Sequence, residues 1–273
     1  MQTDMTVGKP MKMILDFTIP VFIGNVFQQF YNMADAIIVG KFVGTKGLAA
    51  VGSTGTIMFL IIGFLTGLTA GFTVLTSQKF GAGKMDEMRQ SVGNAALLSI
   101  IISVIMTAVS MVGMHSLLTL MHTPEDIFQD AYTYIMIICG GIFAQVLYNI
   151  LASILRALGN SKTPLYFLIL AALLNIVLDL TFIIVFHMGV AGAAWATITA
   201  QGVSGVLCLI YIIKYVPELR LKADDWRFRS EIATVRFHME ETLLAAFEAQ
   251  LTEASAGQLT ATLISHTFAA YPL

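Results

Sequence analysis

Two carboxylates, Asp35 and Asp179, stand inside long apolar runs of a 273-residue chain. A charge in hydrocarbon costs enough that it is kept only with a partner or a task. The polar residues near them are spaced to meet. Asn25, Gln28, Asn32 and Asp35 step by three, four and three, which draws one polar stripe down one face of a helix. Asn175 and Asp179 lie one turn apart and share a face of another. Two nearby acids out of water repel each other, so at least one takes up a proton near neutral pH. A carboxylate with amide and hydroxyl oxygens is equally a hard-oxygen shell for Na+. Either cation neutralises the site. Interhelical hydrogen bonding alone, worth about 1 kcal/mol or less per bond, accounts for a lone Asn25, Gln28 or Asn149 more readily than for two acids.

The elements that must hold these groups follow from composition. Mean hydropathy is +0.80, with 57% hydrophobic and 12% charged residues, against about 25% charged in soluble domains. This is an integral membrane protein. Charges punctuate six stretches long enough to cross a bilayer, at about 14–39, 48–77, 92–120, 131–155, 164–187 and 190–215. The expected fold is an all-α, six-transmembrane-helix bundle. Gly63, Gly67 and Gly71 are spaced four apart in the second span, a pattern that lets helix backbones approach. Turns are signalled by Gly81-Ala82-Gly83, Thr123-Pro124, Gly159 to Pro164, and His187 to Gly192.

Lys and Arg concentrate in alternate loops. Lys9, Lys12, Lys79, Lys84, Arg89, Arg156, Lys162, Lys214, Arg220, Lys222, Arg227 and Arg229 fall on one side, and only Lys41 and Lys46 on the other. Both termini are therefore expected to be cytoplasmic, and both acids then lie in the outer half of the membrane. Tyr134, Gln145 and Asn149 of the fourth span and Thr197 and Thr199 of the sixth complete a pocket of amides and hydroxyls around them. Pro20 removes a backbone donor from the first helix, which places a kink or hinge there.

Other chemistries find little support. A net charge of -2 argues against a nucleic-acid partner. Neither HExxH nor GxSxG occurs, and Gly81 to Lys84 lacks the remainder of a phosphate-binding loop, so an enzyme is not expected. His115 and His122 read as interfacial and His187 as solvated. Cys139 and Cys208 read as unpaired core residues.

The runs Ile19 to Gly52 (IPVFIGNVFQQFYNMADAIIVGKFVGTKGLAAVG), QKFGAGK (Gln78 to Lys84), ILRALGNSKTP (Ile154 to Pro164), LLNIVLD (Leu173 to Asp179) and GVAGAAWATITAQ (Gly189 to Gln201) together resemble the amino-terminal lobe of the multidrug and toxic compound extrusion (MATE) family, nearest its DinF-like branch. The resemblance covers about residues 8–229. It implies a cation site for H+ or Na+ in this lobe. The family's first-helix acid and glutamine fall on Asp35 and Gln28, its fifth-helix asparagine and acid on Asn175 and Asp179, and its fourth-helix tyrosine and asparagine on Tyr134 and Asn149. Its sixth-helix threonine falls on Thr197 and its bending proline on Pro20. Each position holds the expected residue type. Na+, if it is the ion, is expected at Asp35, Asp179 and Asn175.

The family has twelve helices in two six-helix lobes with a drug cleft between them, whereas this sequence carries one lobe, 1–229. Residues 230–273 do not resemble the family and read as a cytoplasmic tail produced by a frame change or a truncated gene, with an amphipathic helix at Met239 to Ala254. The function implied is a secondary antiporter that exports organic cations or drugs in exchange for H+ or Na+, as half of a MATE transporter. The alternative is an inert or regulatory membrane fragment without transport. No cofactor beyond the coupling ion is expected. The expected partners are membrane lipid, small amphipathic or cationic substrates, and a second lobe or second copy. The expected location is the plasma membrane of a prokaryote.

Overall fold

The structure, a computed structural model, describes residues 10–221 and 223–226. By internal contacts the chain divides into two units, Met1–Ile232 and Ala233–Leu273. The second unit, and with it the helix expected at Met239 to Ala254, lies outside the described residues.

The first unit is a bundle of long helices: α1 (Pro10–Phe42), α2 (Thr45–Gly81), α3 (Met85–Leu120), α4 (Glu125–Gly140), α5 (Ile142–Ala157), α6 (Lys162–Leu180) and α7 (Val190–Tyr215). Five spans are long and apolar enough to cross a membrane, and a sixth is the pair α4 and α5, bent by 48°. The protein is thus a multi-pass, six-span all-α membrane bundle. The spans exceed the expected ones mostly at their ends. At about 1.5 Å per residue, α2's 37 residues reach ~55 Å, well beyond the ~30 Å hydrocarbon layer, so α2 must tilt or project into water.

Local chemistry sets the boundaries. Asp86 and Glu87 open α3 and Glu125 and Asp126 open α4, each placing negative charge at the positive end of a helix. Gly159, at φ +77°, ends α5 in the left-handed region that favours glycine. Asn160 then accepts a hydrogen bond from the Thr163 N–H at 3.1 Å, satisfying a donor at the start of α6. At one end of the bundle Lys46 pairs with Asp126 (3.5 Å), and at the other Lys79 and Lys84 pair with Glu87. Alternating passage of six spans gives this arrangement.

The break in the fourth span was not expected, and its cause is close packing. A Cβ on Gly141 would lie 2.6 Å from Ile198 Cδ1 on α7. Two turns on, the same seam brings Leu147 to 3.2 Å from a Cβ built on Gly205. The chain can press onto α7 at the bend only where Gly141 has no side chain, and α4 and α5 diverge from that point.

After α7 the chain turns back. Residues 223–226 pack on α3 so closely that a Cβ on Gly93 would collide with the Asp225 carbonyl, and Asp225 is buried. A backbone carbonyl cannot yield without the segment moving. Gly93→Ala is expected to cost about 1–3 kcal/mol, read as a lower melting temperature of the purified chain. An unchanged melting temperature would mean that the segment does not seat there.

Five glycines further along α2 behave differently. Gly52, Gly55, Gly63, Gly67 and Gly71 have nothing within 4 Å of where a Cβ would sit. The small-residue stripe that reads as a packing motif is unpacked within the described residues.

Candidate functional site

Asp179 is completely buried and Asp35 is 8% exposed. Their carboxyl groups lie within hydrogen-bond reach of each other. Among the described residues no Lys, Arg or His pairs with either acid, and Oδ1 of each has no hydrogen-bond partner.

Three helices bring them there. Asp35 is two turns from the end of α1 and Asp179 is the penultimate residue of α6. Directly after α6 a π-helical turn, Thr181–Val185, widens the backbone, closing with Phe186 N–H on Thr181 O. Such turns often mark functional sites. The tight corner at His187 and Gly189, both at positive φ, then turns the chain back into α7. Ile38, Val39, Tyr134, Ile183, Ala193 and Ala194 form a buried apolar cluster beside the acids. The alanines of α7 let α1 and α6 lie close to it.

A short hydrogen-bond chain leads away from the pair. With the Asn175 amide oriented so that both its ends are satisfied, Nδ2 donates to Asp179 Oδ2 at 3.1 Å and Oδ1 accepts from the Thr197 N–H at 3.3 Å. Thr197 Oγ1 accepts from the Tyr31 hydroxyl at 3.3 Å. The acids, a carboxamide and a threonine hydroxyl make an oxygen-rich set suited to H+ or a small hard cation. Among the described residues no three His, Cys, Asp or Glu side chains group as metal ligands.

The structure thus draws together four of the residues singled out in the sequence, Asp35, Asp179, Asn175 and Thr197. Tyr134 is buried within electrostatic reach of both acids. Gln28 is set two turns along α1 and lines a small cavity rather than bonding an acid. Asn149, on α5, has a buried Nδ2 with no partner and makes no bond to the pair. Thr199 is exposed and points off the site. Pro20 is buried in an α1 that continues through it. The polar stripe on α1 splits: Asp35 is buried and Gln28 half-buried, whereas Asn25 and Asn32 are exposed. Each residue turns about 100° around a helix, so a four-residue stripe is wide enough for its edges to face different surroundings. Tyr31, four residues before Asp35, was missed from sequence. Its i,i+4 spacing from the acid was the available signal.

The MatE family model matches residues 20–181, more than half of the chain. The "Probable multidrug resistance protein YpnP" of Bacillus subtilis (strain 168) is 35% identical over 212 residues, 78% of this chain and 48% of that protein. A MOP superfamily transporter from Pyrococcus furiosus has a similar fold, with a TM-score of 0.78 at 28% identity over 91% of this chain and 54% of its own. A MATE protein solved in a bent conformation matches with a TM-score of 0.76 at 28% identity over 91% and 54% of the two chains. The chain spans about half the length of the relatives it matches. A family model that begins at Pro20 and runs through Asp35, Asn175 and Asp179, the groups of this buried acidic site, assigns the chain to the MatE family of membrane transporters.

Proposed function

We propose that this chain is the cation-binding lobe of a secondary antiporter, in which H+ or Na+ taken up by Asp35 and Asp179 drives the export of organic cations or other amphipathic compounds. One observation carries the reading: two buried acids within reach of each other, with no basic partner among the described residues. At about 4 Å and an effective dielectric of about 20, two full charges repel by roughly 4 kcal/mol. One bound monovalent cation removes that repulsion, so occupancy and helix packing are linked. Asn175, Thr197 and Tyr31 would reorganise around the filled site. Pro20, buried in α1, would let the acid-bearing half of that helix move against the rest, and a bent conformation is known for a similar protein.

An export cleft needs a second wall, which in this reading comes from a second lobe or a second copy of this chain. YpnP, named as a multidrug resistance protein, supports export as the direction. The orientation that fits the charge pattern puts both termini in the cytoplasm of a prokaryotic cell, with the acids nearer the outer face. The test is reconstitution into liposomes with an imposed proton or sodium gradient and a cationic dye. Gradient-driven dye movement supports the reading. Dye flux that ignores the gradient would leave a membrane fragment without transport.

A further inference from the structure

A small cavity opens between α1, α6 and α7, toward the amino-terminal half of α1 from the acid pair. Gln28 and Tyr31 of α1, Ala171 and Ala172 of α6, and Ala200 and Gln201 of α7 line it. Its free space is about 10 Å³, the room one water molecule needs. Gln201 is 93% buried, being 7% exposed, and its Oε1 has no partner. A buried amide oxygen left unpaired has lost its hydration without replacement, so an occupant that donates to it is favoured. Among the described residues no charged side chain lines the space. A bare cation there would lack a counter-charge in a medium that penalises it heavily. A water molecule needs two to four polar partners, and Gln201, Gln28 and Tyr31 supply three.

We propose that this cavity is a single-water site, in which the water donates to Gln201 Oε1 and bonds to Gln28 and Tyr31, so that it hydrates the hydrogen-bond chain leading to the acids. Tyr31 carries the connection. Its hydroxyl donates to Thr197 Oγ1, and Thr197 meets the Asn175 amide that holds Asp179. Asp179 is wholly buried and Asp35 is 8% exposed, so a water held at Gln28 and Tyr31 would hydrate the chain from this side of the pair. The part played in proton access rests on the cation-binding reading above. The presence of the water does not.

The experiment uses the full chain in lipid nanodiscs. A structure determined finely enough to show ordered water should place one density peak within about 3 Å of Gln201 Oε1. That peak should vanish in Gln201→Leu and in Ala172→Val, which fills the cavity without touching either amide. A dry cavity in the unaltered chain overturns the site. After a pH jump, both variants should take up the same number of protons as the unaltered chain, about tenfold more slowly. An unaltered rate in both overturns the hydrating role. The two variants act by different chemistry, so one that fails to fold leaves the other to decide. Proton uptake that persists in Asp35→Asn/Asp179→Asn would instead reject the cation-binding reading.

Discussion

The double variant Asp35→Asn/Asp179→Asn is expected to lose gradient-driven dye movement entirely, down to the passive leak of empty liposomes, while remaining folded. Each substitution keeps the size of the side chain and removes its charge. With both charges gone, neither H+ nor Na+ has anything to neutralise, and no cation-dependent difference in packing is left to drive a cycle. Folding should not suffer, because the two acids have no basic partner to leave behind among the described residues. Buried charges without partners destabilise, and replacing them with neutral amides relieves the mutual repulsion of about 4 kcal/mol at close approach. The melting temperature of the double variant should therefore equal or exceed that of the unaltered chain. The same two measurements on each single variant divide the labour between the acids. Cation-driven flux that survives the double change would sink the coupling role. A lower melting temperature with flux lost would mean that the acids are structural.

Gly141 carries the second large effect. A methyl at this position would press on the Ile198 side chain from within 2.6 Å of its Cδ1, and the contact lies at the bend of the fourth span. Ile198 follows Thr197 directly, so a push on the isoleucine is transmitted to the residue that joins Tyr31 to Asn175. Gly141→Ala should cost about 1–3 kcal/mol by overpacking and weaken cation binding as well. Ile198→Ala on the same chain should restore both, giving a coupling energy of the size found for residues in contact. Thermal unfolding with and without the cation measures it. If the two substitutions prove additive, the bend is not held by this contact.

Those two sites also show what a sequence can and cannot reveal. The meeting of Asp35 with Asp179, and of Asp179 with Asn175, was legible because a charge or amide within an apolar run has few tolerable surroundings. The bundle of six spans was legible for the same reason, since length and hydropathy alone select it. Gly140 and Gly141 gave no such signal: paired glycines in an apolar run look the same whether the helix packs straight or breaks, and the decision rests with Ile198 on a distant helix. Tyr31 was hidden because aromatic side chains are ordinary in membrane helices, and only its spacing from Asp35 sets it apart. Gln201 gave no signal of its own because a single amide at the end of a run of small apolar residues is as readily a surface group as a buried one. The outward turn of Asn25 and Asn32 needed the rotation of α1, which depends on how it lies against α6 rather than on its own sequence.

The glycines of α2 lead somewhere different. Gly93 and Gly141 are walled in, whereas Gly52, Gly55, Gly63, Gly67 and Gly71 look onto vacant space. Glycine disfavours a helix relative to alanine by about 1 kcal/mol, so alanine at those five places would strengthen the helix and crowd nothing among the described residues. Any harm that such changes did in a living cell could not be charged to misfolding of this bundle. Tolerance along that edge would be a gauge of whatever the working protein presses against it.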